Sequence, residues 1–131
     1  MPLYRCTTPP ELLNDAQRTA IAGAITRIHC ELTQAPPTFV HVQFLHAAPA
    51  EGPRVRVHGS IRAGRSAALN EELIRQCRHS VSALAGVPLE DTAMRTSTTQ
   101  AAWVLEGGHV MPEPGEEAAW LAELGERTHH A

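Results

Sequence analysis

Twice along this chain the apolar pattern passes from the two-residue period of a strand to the helical period of about 3.6 and back, and few folds accommodate that order. Residues 2–7, Pro-Leu-Tyr-Arg-Cys-Thr, suit a short strand, with proline at the first position, where no ladder donor is needed. Pro9-Pro10 end it, and Asn14 followed by Gln17 is a capping-box signature. Ile21, Ile25, Ile28 and Leu32 then recur at four, three and four, the stripe of a helix running to about Thr33. Pro36-Pro37 break that helix. Thr38 to His46 is rich in β-formers and apolar on both faces, as in a strand covered on both sides. The second half repeats the plan. Arg54 to Ile61 alternates, Ser66 can cap a helix to about Ala85, Gly86 and Pro88 stop it, and Thr92 to Thr98 is a threonine-rich strand.

Two strand–helix–strand units, residues 2–46 and 54–98, can share one four-stranded sheet of an α/β fold, with right-handed crossovers and both helices on one face. The loop from Ala47 to Pro53 is the expected hinge between them. Residues 99–131 form a tail: a short extension over Ala101–Leu105, loops at Gly107-Gly108 and Pro112–Gly115, a short helix from Glu116 to Leu124, and a loose end from Arg127. At 131 residues a single domain with one core is expected. No element remains for the second sheet face, so subunits are expected to associate sheet against sheet.

Composition removes several classes of function. Net charge is −3 and no basic block occurs, which argues against nucleic acid as a partner. Apolar runs are too short to span a bilayer, and no apolar signal core follows the start, so the expected location is the cytoplasm. Cys6, Cys30 and Cys77 have no metal or redox spacing and read as small buried or half-buried thiols. Among eight histidines no ligand set emerges: His41 and His46 point to opposite faces of one strand, and His129-His130 sit in a polar tail. Neither metal nor organic cofactor is expected.

The second residue carries the chemical interest. Initiator methionine is usually trimmed before a small residue, and trimming Met1 would leave Pro2 with a free secondary amine. Such an amine titrates near roughly 8 and can serve as base or acid according to its surroundings. All 11 basic residues are arginine, so the N-terminus is the only titratable amine in the sequence. His29 falls at the edge of the first helix's apolar stripe, where a side chain either faces a pocket or rests half-covered on the rim.

Met-Pro-Leu-Tyr at the start, Ala24-Ile25-Thr26 with His29 and Leu32-Thr33, Arg62-Ala63-Gly64-Arg65-Ser66 with Leu69, Glu106, and Met111-Pro112-Glu113-Pro114-Gly115 leading to Trp120 stand in one order. In that order they resemble the tautomerase superfamily, most closely the cis-3-chloroacrylic acid dehalogenase group. The resemblance covers nearly the whole chain. It implies a homotrimer of β-α-β-α units acting without cofactor on small unsaturated or enolic carboxylic acids near each N-terminal proline. It further implies Pro2 as proton carrier, His29 and Glu106 as catalytic partners, and Arg62 and Arg65 as holders of the substrate carboxylate. Forked guanidinium hydrogen bonds suit that last role, although two arginines on a turn can equally be solvated, and Glu106 can equally be a loop carboxylate. Dehalogenases of the group pair the glutamate with a tyrosine eleven residues earlier. Arg95 stands there in this chain, as a third anion contact or a partner for Glu106. Arginine cannot share a proton as a phenol does, which weakens dehalogenation more than tautomerisation or hydration. A non-catalytic trimeric carboxylate-binding protein on the same scaffold is the competing reading.

Overall fold

A computed structural model describes the backbone of residues 1–47 and 51–130, and side chains as far as residue 125. Part of the expected hinge over residues 47–53 therefore lies outside the described residues. Strands β1 (Leu3–Thr8), β2 (His41–His46), β3 (Val55–Arg62) and β4 (Thr92–Thr99) form one sheet in the order β2-β1-β3-β4. Helix α1 (Asp15–Thr33) links the parallel pair β1/β2, and α2 (Ala67–Ala85) links the parallel pair β3/β4. The two units meet where β1 and β3 run antiparallel.

Local chemistry explains the helix ends. The Asn14 side chain accepts from the Gln17 amide while the Gln17 side chain accepts from the Asn14 amide, so two otherwise orphaned donors are satisfied. Ser66 caps α2 by accepting from the Leu69 amide, and Gly86 closes it. Ile21, Ile25 and Ile28 of α1 and Leu73, Cys77 and Val81 of α2 meet Tyr4, Cys6, Val55, Val57, Ile61 and Met94 of the sheet in one core. Both helices therefore cover the same sheet face. The alternate residues, among them Arg5, Arg56 and Arg95, are exposed on the other face. β2 is not covered on both sides within the chain. It is an edge strand whose Val42 and Phe44 pack on the core while His41, Gln43 and Leu45 are exposed. A turn of 3-10 helix at Pro37–Phe39 delays its start beyond Thr38.

The C-terminal segment is more ordered than its polarity suggests. After a 3-10 turn at Ala101–Trp103, β5 (Leu105–Glu106) and β6 (His109–Val110) form a hairpin around Gly107-Gly108. Both glycines have positive φ, 57° and 79°, as the favoured two-residue hairpin turns require. Helix α3 spans Glu117–His130, longer than the short helix expected, and it continues through the expected loose end. Gly125 is the breaking signal, and no proline follows to enforce it. Phe39, Ala101 and Met111, with Val104 and Trp120 beside them, make a second small core. Trp120 packs edge-on against Phe39, its ring centroid 5.6 Å away, and donates to the Val110 carbonyl at 2.7 Å. Among the described residues no helix is long and apolar enough to cross a membrane.

Candidate active site

The β1/β3 register decides what gathers at one end of the sheet. Leu3 pairs with Ser60, so continuing the antiparallel register by two residues brings Met1 opposite Arg62. The chain start, the end of β3 and the turn that carries Arg65 therefore meet. Arg62 is the last residue of β3 rather than part of the turn that follows. The hairpin returns Glu106 to the same place, and its carboxylate forms an ion pair with the Met1 amine. Pro2 is buried immediately behind that amine. With Met1 in place the Pro2 nitrogen is an amide, and the titratable amine is that of Met1. Burial first, and the Arg62 charge second, pull this amine down to about 6.

His29 is fully buried rather than half-covered on a rim. Its Nδ1 lies 2.7 Å from the Tyr4 hydroxyl, and the two rings meet edge to face. Burial and then the charges of Arg65, Arg62 and the N-terminal amine push His29 down to about 3, so the imidazole is neutral at physiological pH. Burial pushes the Tyr4 phenol well above its usual value, so its proton stays. A buried phenol donor needs an acceptor, and Nδ1 supplies it. That bond places the imidazole proton on Nε2, which has no partner among the described residues. Tyr4 reaches this position because Gly59 lies directly across the sheet from it. A Cβ on Gly59 would stand 2.7 Å from the Tyr4 ring.

The two turn arginines differ. Arg62 is 1% exposed, donates from Nη1 to the Pro112 carbonyl at 2.6 Å and from Nη2 to Glu117 at 2.7 Å, and lies 5.8 Å over the Phe39 ring. Its Nε is left without a partner among the described residues. Arg65 is half-buried and, among the described residues, makes one long contact to the Arg62 carbonyl at 3.4 Å and has a buried Nη2 with no partner. Burial and the Arg62 charge lower its pKa, so it stands as a poorly neutralised cation.

Of the residues singled out in the sequence, Pro2, His29, Arg62, Arg65 and Glu106 thus come to one end of the sheet. Arg95 does not. It pairs with His58 in mid-sheet and is exposed on the open face, away from Glu106. Two further residues belong to the site and were not found in the sequence. Tyr4 fixes the His29 tautomer, and Glu117 occupies Arg62. Tyr4 shares inward parity with Cys6, which was the available signal. Glu117, 55 residues from Arg62, offered none.

The arrangement presents three donors without acceptors, Arg62 Nε, Arg65 Nη2 and His29 Nε2, beside an amine and a carboxylate. Donors of this kind suit an anion, and the amine–carboxylate pair suits proton transfer. The chain is similar to known proteins in sequence and in fold. The family model Tautomerase_3, described as "Putative oxalocrotonate tautomerase enzyme", matches residues 1–124. Among solved structures, N1, a member of the cis-3-chloroacrylic acid dehalogenase (cis-CaaD) family, is similar with a TM-score of 0.86 and 26% identity, over 98% of this chain and 99% of that one. Native Ps01740 is similar with a TM-score of 0.73 and 32% identity, over 79% of this chain and 99% of its own. A fused 4-OT symmetric trimer, 18% identical with a TM-score of 0.73 over 83% of this chain and 94% of its own, shares the fold. No curated protein matches the chain.

Proposed function

This chain belongs to the tautomerase superfamily, near the cis-3-chloroacrylic acid dehalogenase group, and we propose that it is a cofactor-independent enzyme interconverting keto and enol forms of small 2-oxo carboxylic acids. The observation that carries this reading is the convergence of unpartnered buried donors on Arg65 and His29 beside the chain's amine. Arg65 Nη2 and the His29 Nε2 proton bind the substrate carboxylate or its neighbouring carbonyl oxygen, and the Nε edge of Arg62 adds its charge. After removal of Met1, the Pro2 nitrogen is a secondary amine one residue from the present amine. It lies under the same two influences, burial and Arg62. Both favour the neutral amine at pH 7, which is the form a base needs. Neutral Pro2 takes the proton of the enol hydroxyl, the electron pair forms the carbonyl, and the same proton returns to the carbon that was doubly bonded. Glu106 holds the amine in line and balances its charge while it carries the proton.

Water addition to an activated unsaturated acid is a second reading, favoured by Glu106. A half-buried carboxylate beside a protonated Pro2 can orient water while the amine gives its proton to the α-carbon. Dehalogenation is less well supported, since Tyr4 is committed to His29 and Arg95 brings no phenol to Glu106. A homotrimer fits the open sheet face and the trimeric state of the fused 4-OT relative.

The test begins with intact mass. A sample lacking one methionine is assayed spectrophotometrically on small 2-enol acids, alongside Pro2→Ala. Turnover of the variant is expected to fall by roughly 10²–10⁴ while calorimetry still detects carboxylate binding. Undiminished turnover in Pro2→Ala overturns the mechanism. Binding of acids with no turnover in either protein supports the non-catalytic carboxylate-binding alternative. Light scattering checks the trimer.

A further inference from the structure

On the reading that Pro2 is the working amine, we infer that His109, set directly beside Glu106 by the β5/β6 register, is a further positioning residue of the site. Once Met1 is removed, its imidazole donates a hydrogen bond to the Glu106 carboxylate and aims that carboxylate at Pro2. Glu106 and His109 are cross-strand partners on either side of Gly107-Gly108. Side chains of such a pair stand on the same face of a hairpin, with about 5 Å between their Cβ atoms. At that spacing a glutamate oxygen and an imidazole nitrogen reach hydrogen-bond distance in ordinary rotamers. Burial identifies the face. The Met111 amide donates to the Val104 carbonyl at 2.8 Å, which extends the register by one pair. Val104, Glu106, His109 and Met111 are then half-buried or buried, while Leu105 and Val110 are exposed. The first set turns inward: Val104 and Met111 pack in the small core, and Glu106 meets the chain's amine. His109 is the remaining member of that set.

The need for such a donor follows from the loss of Met1. Among the described residues, the ion pair with the Met1 amine is the one polar side-chain contact of Glu106, and His109 has none. Removing Met1 withdraws that ammonium and leaves the amine on the buried Pro2, one residue further in. In its neutral form this amine no longer balances the carboxylate. The neighbouring cations are committed elsewhere. Arg62 gives its terminal nitrogens to Pro112 and Glu117, and Arg65 is assigned above to the substrate carboxylate. Arg95, expected in the sequence as a partner for Glu106, lies on the open sheet face. His109 is the donor that stands beside Glu106 on its own hairpin, and no backbone rearrangement is needed for it to serve. A hydrogen bond to an ionised oxygen is shorter and stronger than one between neutral groups. Held at one oxygen by the imidazole, the carboxylate keeps its other oxygen for the Pro2 amine, or for water in the second reading. The same bond selects one imidazole tautomer, which gives it a spectroscopic signature.

The test uses the whole demethionylated protein, its mass verified. Ring-nitrogen NMR shifts of His109, identified by their absence in His109→Gln, are compared between the wild type and Glu106→Ala, with unshifted core resonances confirming the fold. The wild type is expected to show a single His109 tautomer with a hydrogen-bonded N–H, and Glu106→Ala the mixed tautomers of a free imidazole. Identical His109 shifts in the two proteins overturn the pairing. Kinetics on small 2-enol acids then separates positioning from packing. His109→Phe keeps a bulky strand-forming residue but removes the donor, and kcat is expected to fall roughly tenfold to a hundredfold. KM should stay within about threefold, because Arg65 and His29 are untouched. His109→Gln supplies an N–H donor again and should restore kcat to within about threefold of the wild type. Unchanged kcat in His109→Phe, or equal losses in the two variants, overturns the positioning role. If the wild type turns over no acid, the proposed function fails, while the NMR comparison still decides the pairing.

Discussion

Removing the Glu117 carboxylate should cost this fold more than removing any other acidic side chain. Glu117 is 5% exposed and Arg62 1%, so the pair is desolvated on both sides. Each carboxylate oxygen has its own donor: Oε1 takes Arg62 Nη2 at 2.7 Å and Oε2 takes the Gly115 amide at 2.9 Å. Breaking a buried pair by deleting one partner costs about 3–5 kcal/mol, because the other charge is left uncompensated. Arg62 keeps its bond to Pro112 and its place over Phe39. The lower end, about 3 kcal/mol, is therefore expected for Glu117→Ala. At roughly 3–4 °C per kcal/mol for a chain of this size, Tm should fall by about 10 °C. Glu117→Gln keeps the acceptor for Arg62 but turns an amide toward the Gly115 N–H, and about 2 kcal/mol is expected. The pH dependence has a definite sign. Burial alone would raise the Glu117 pKa, but hydrogen bonds from Arg62 and from the Glu117 and Gly115 amides outweigh it and hold the folded pKa low. The contribution is then complete above the unfolded value of about 4.3 and is lost as pH falls through the folded value. Thermal and urea unfolding at one protein concentration, from pH 7 down to pH 3, measure all of this. A Tm change below about 3 °C for Glu117→Ala at pH 7 would refute the reasoning, as would a wild-type-to-Gln gap that widens in acid.

Four other outcomes are expected. Tyr4→Phe leaves the buried His29 Nδ1 without its donor, costs about 1–3 kcal/mol in unfolding experiments, and lowers turnover more than substrate affinity because the tautomer is no longer fixed. Gly59→Ala drives a methyl into the Tyr4 ring and should lose about 1–3 kcal/mol together with the same kinetic defect, both read against Tyr4→Phe. For the demethionylated enzyme, the acid limb of kcat/KM should lie below the reference of roughly 8. The limb of kcat should lie above that of kcat/KM, because a bound carboxylate favours the protonated amine; coincident limbs would contradict a carboxylate bound beside Pro2. His29 stays neutral to about 3 when folded, while the unfolded chain accepts a proton near 6.5. Stability therefore falls as pH drops below about 6.5, by roughly 2 kcal/mol at pH 5 from this residue alone, and His29→Gln should flatten that slope in urea titrations.

What the sequence made legible is what short-range chemistry controls. The Asn14–Gln17 box, the Ser66 cap and the isoleucine stripe of α1 each depend on residues within a turn or two of one another. They predict the two helices closely, and the two-residue alternation with its proline and glycine breaks predicts the four strands to within a few residues. The β5/β6 hairpin escaped because strands of two residues have no period to detect, although Gly107-Gly108 marked its turn. Arg95 was placed by its distance from Glu106 along the chain. Its own strand carried the better signal, because Thr92 and Met94 point inward and Arg95 must then point outward. The partners of Arg62 could not be read at all, because Pro112 and Glu117 reach it only after the tail has folded over the sheet.

That folding over joins stability to chemistry at one residue. Arg62 belongs at once to β3, to the small core around Phe39, and to the cluster facing the chain's amine. Glu117 and Pro112 take both of its terminal nitrogens, so its remaining contribution to a ligand is the Nε edge and a charge largely answered by Glu117. Arg65 has no such answer. A half-buried cation, a neutral imidazole with an unpartnered donor and an amine lowered by burial form a poor arrangement for stability, since each is desolvated without full compensation. One anion placed among them relieves the first two and raises the third. The two arginines, read alike in the sequence, therefore differ in what they are free to do: Arg62 secures the tail that carries Glu106, and Arg65 is left as the cation that, under the proposed function, meets the substrate.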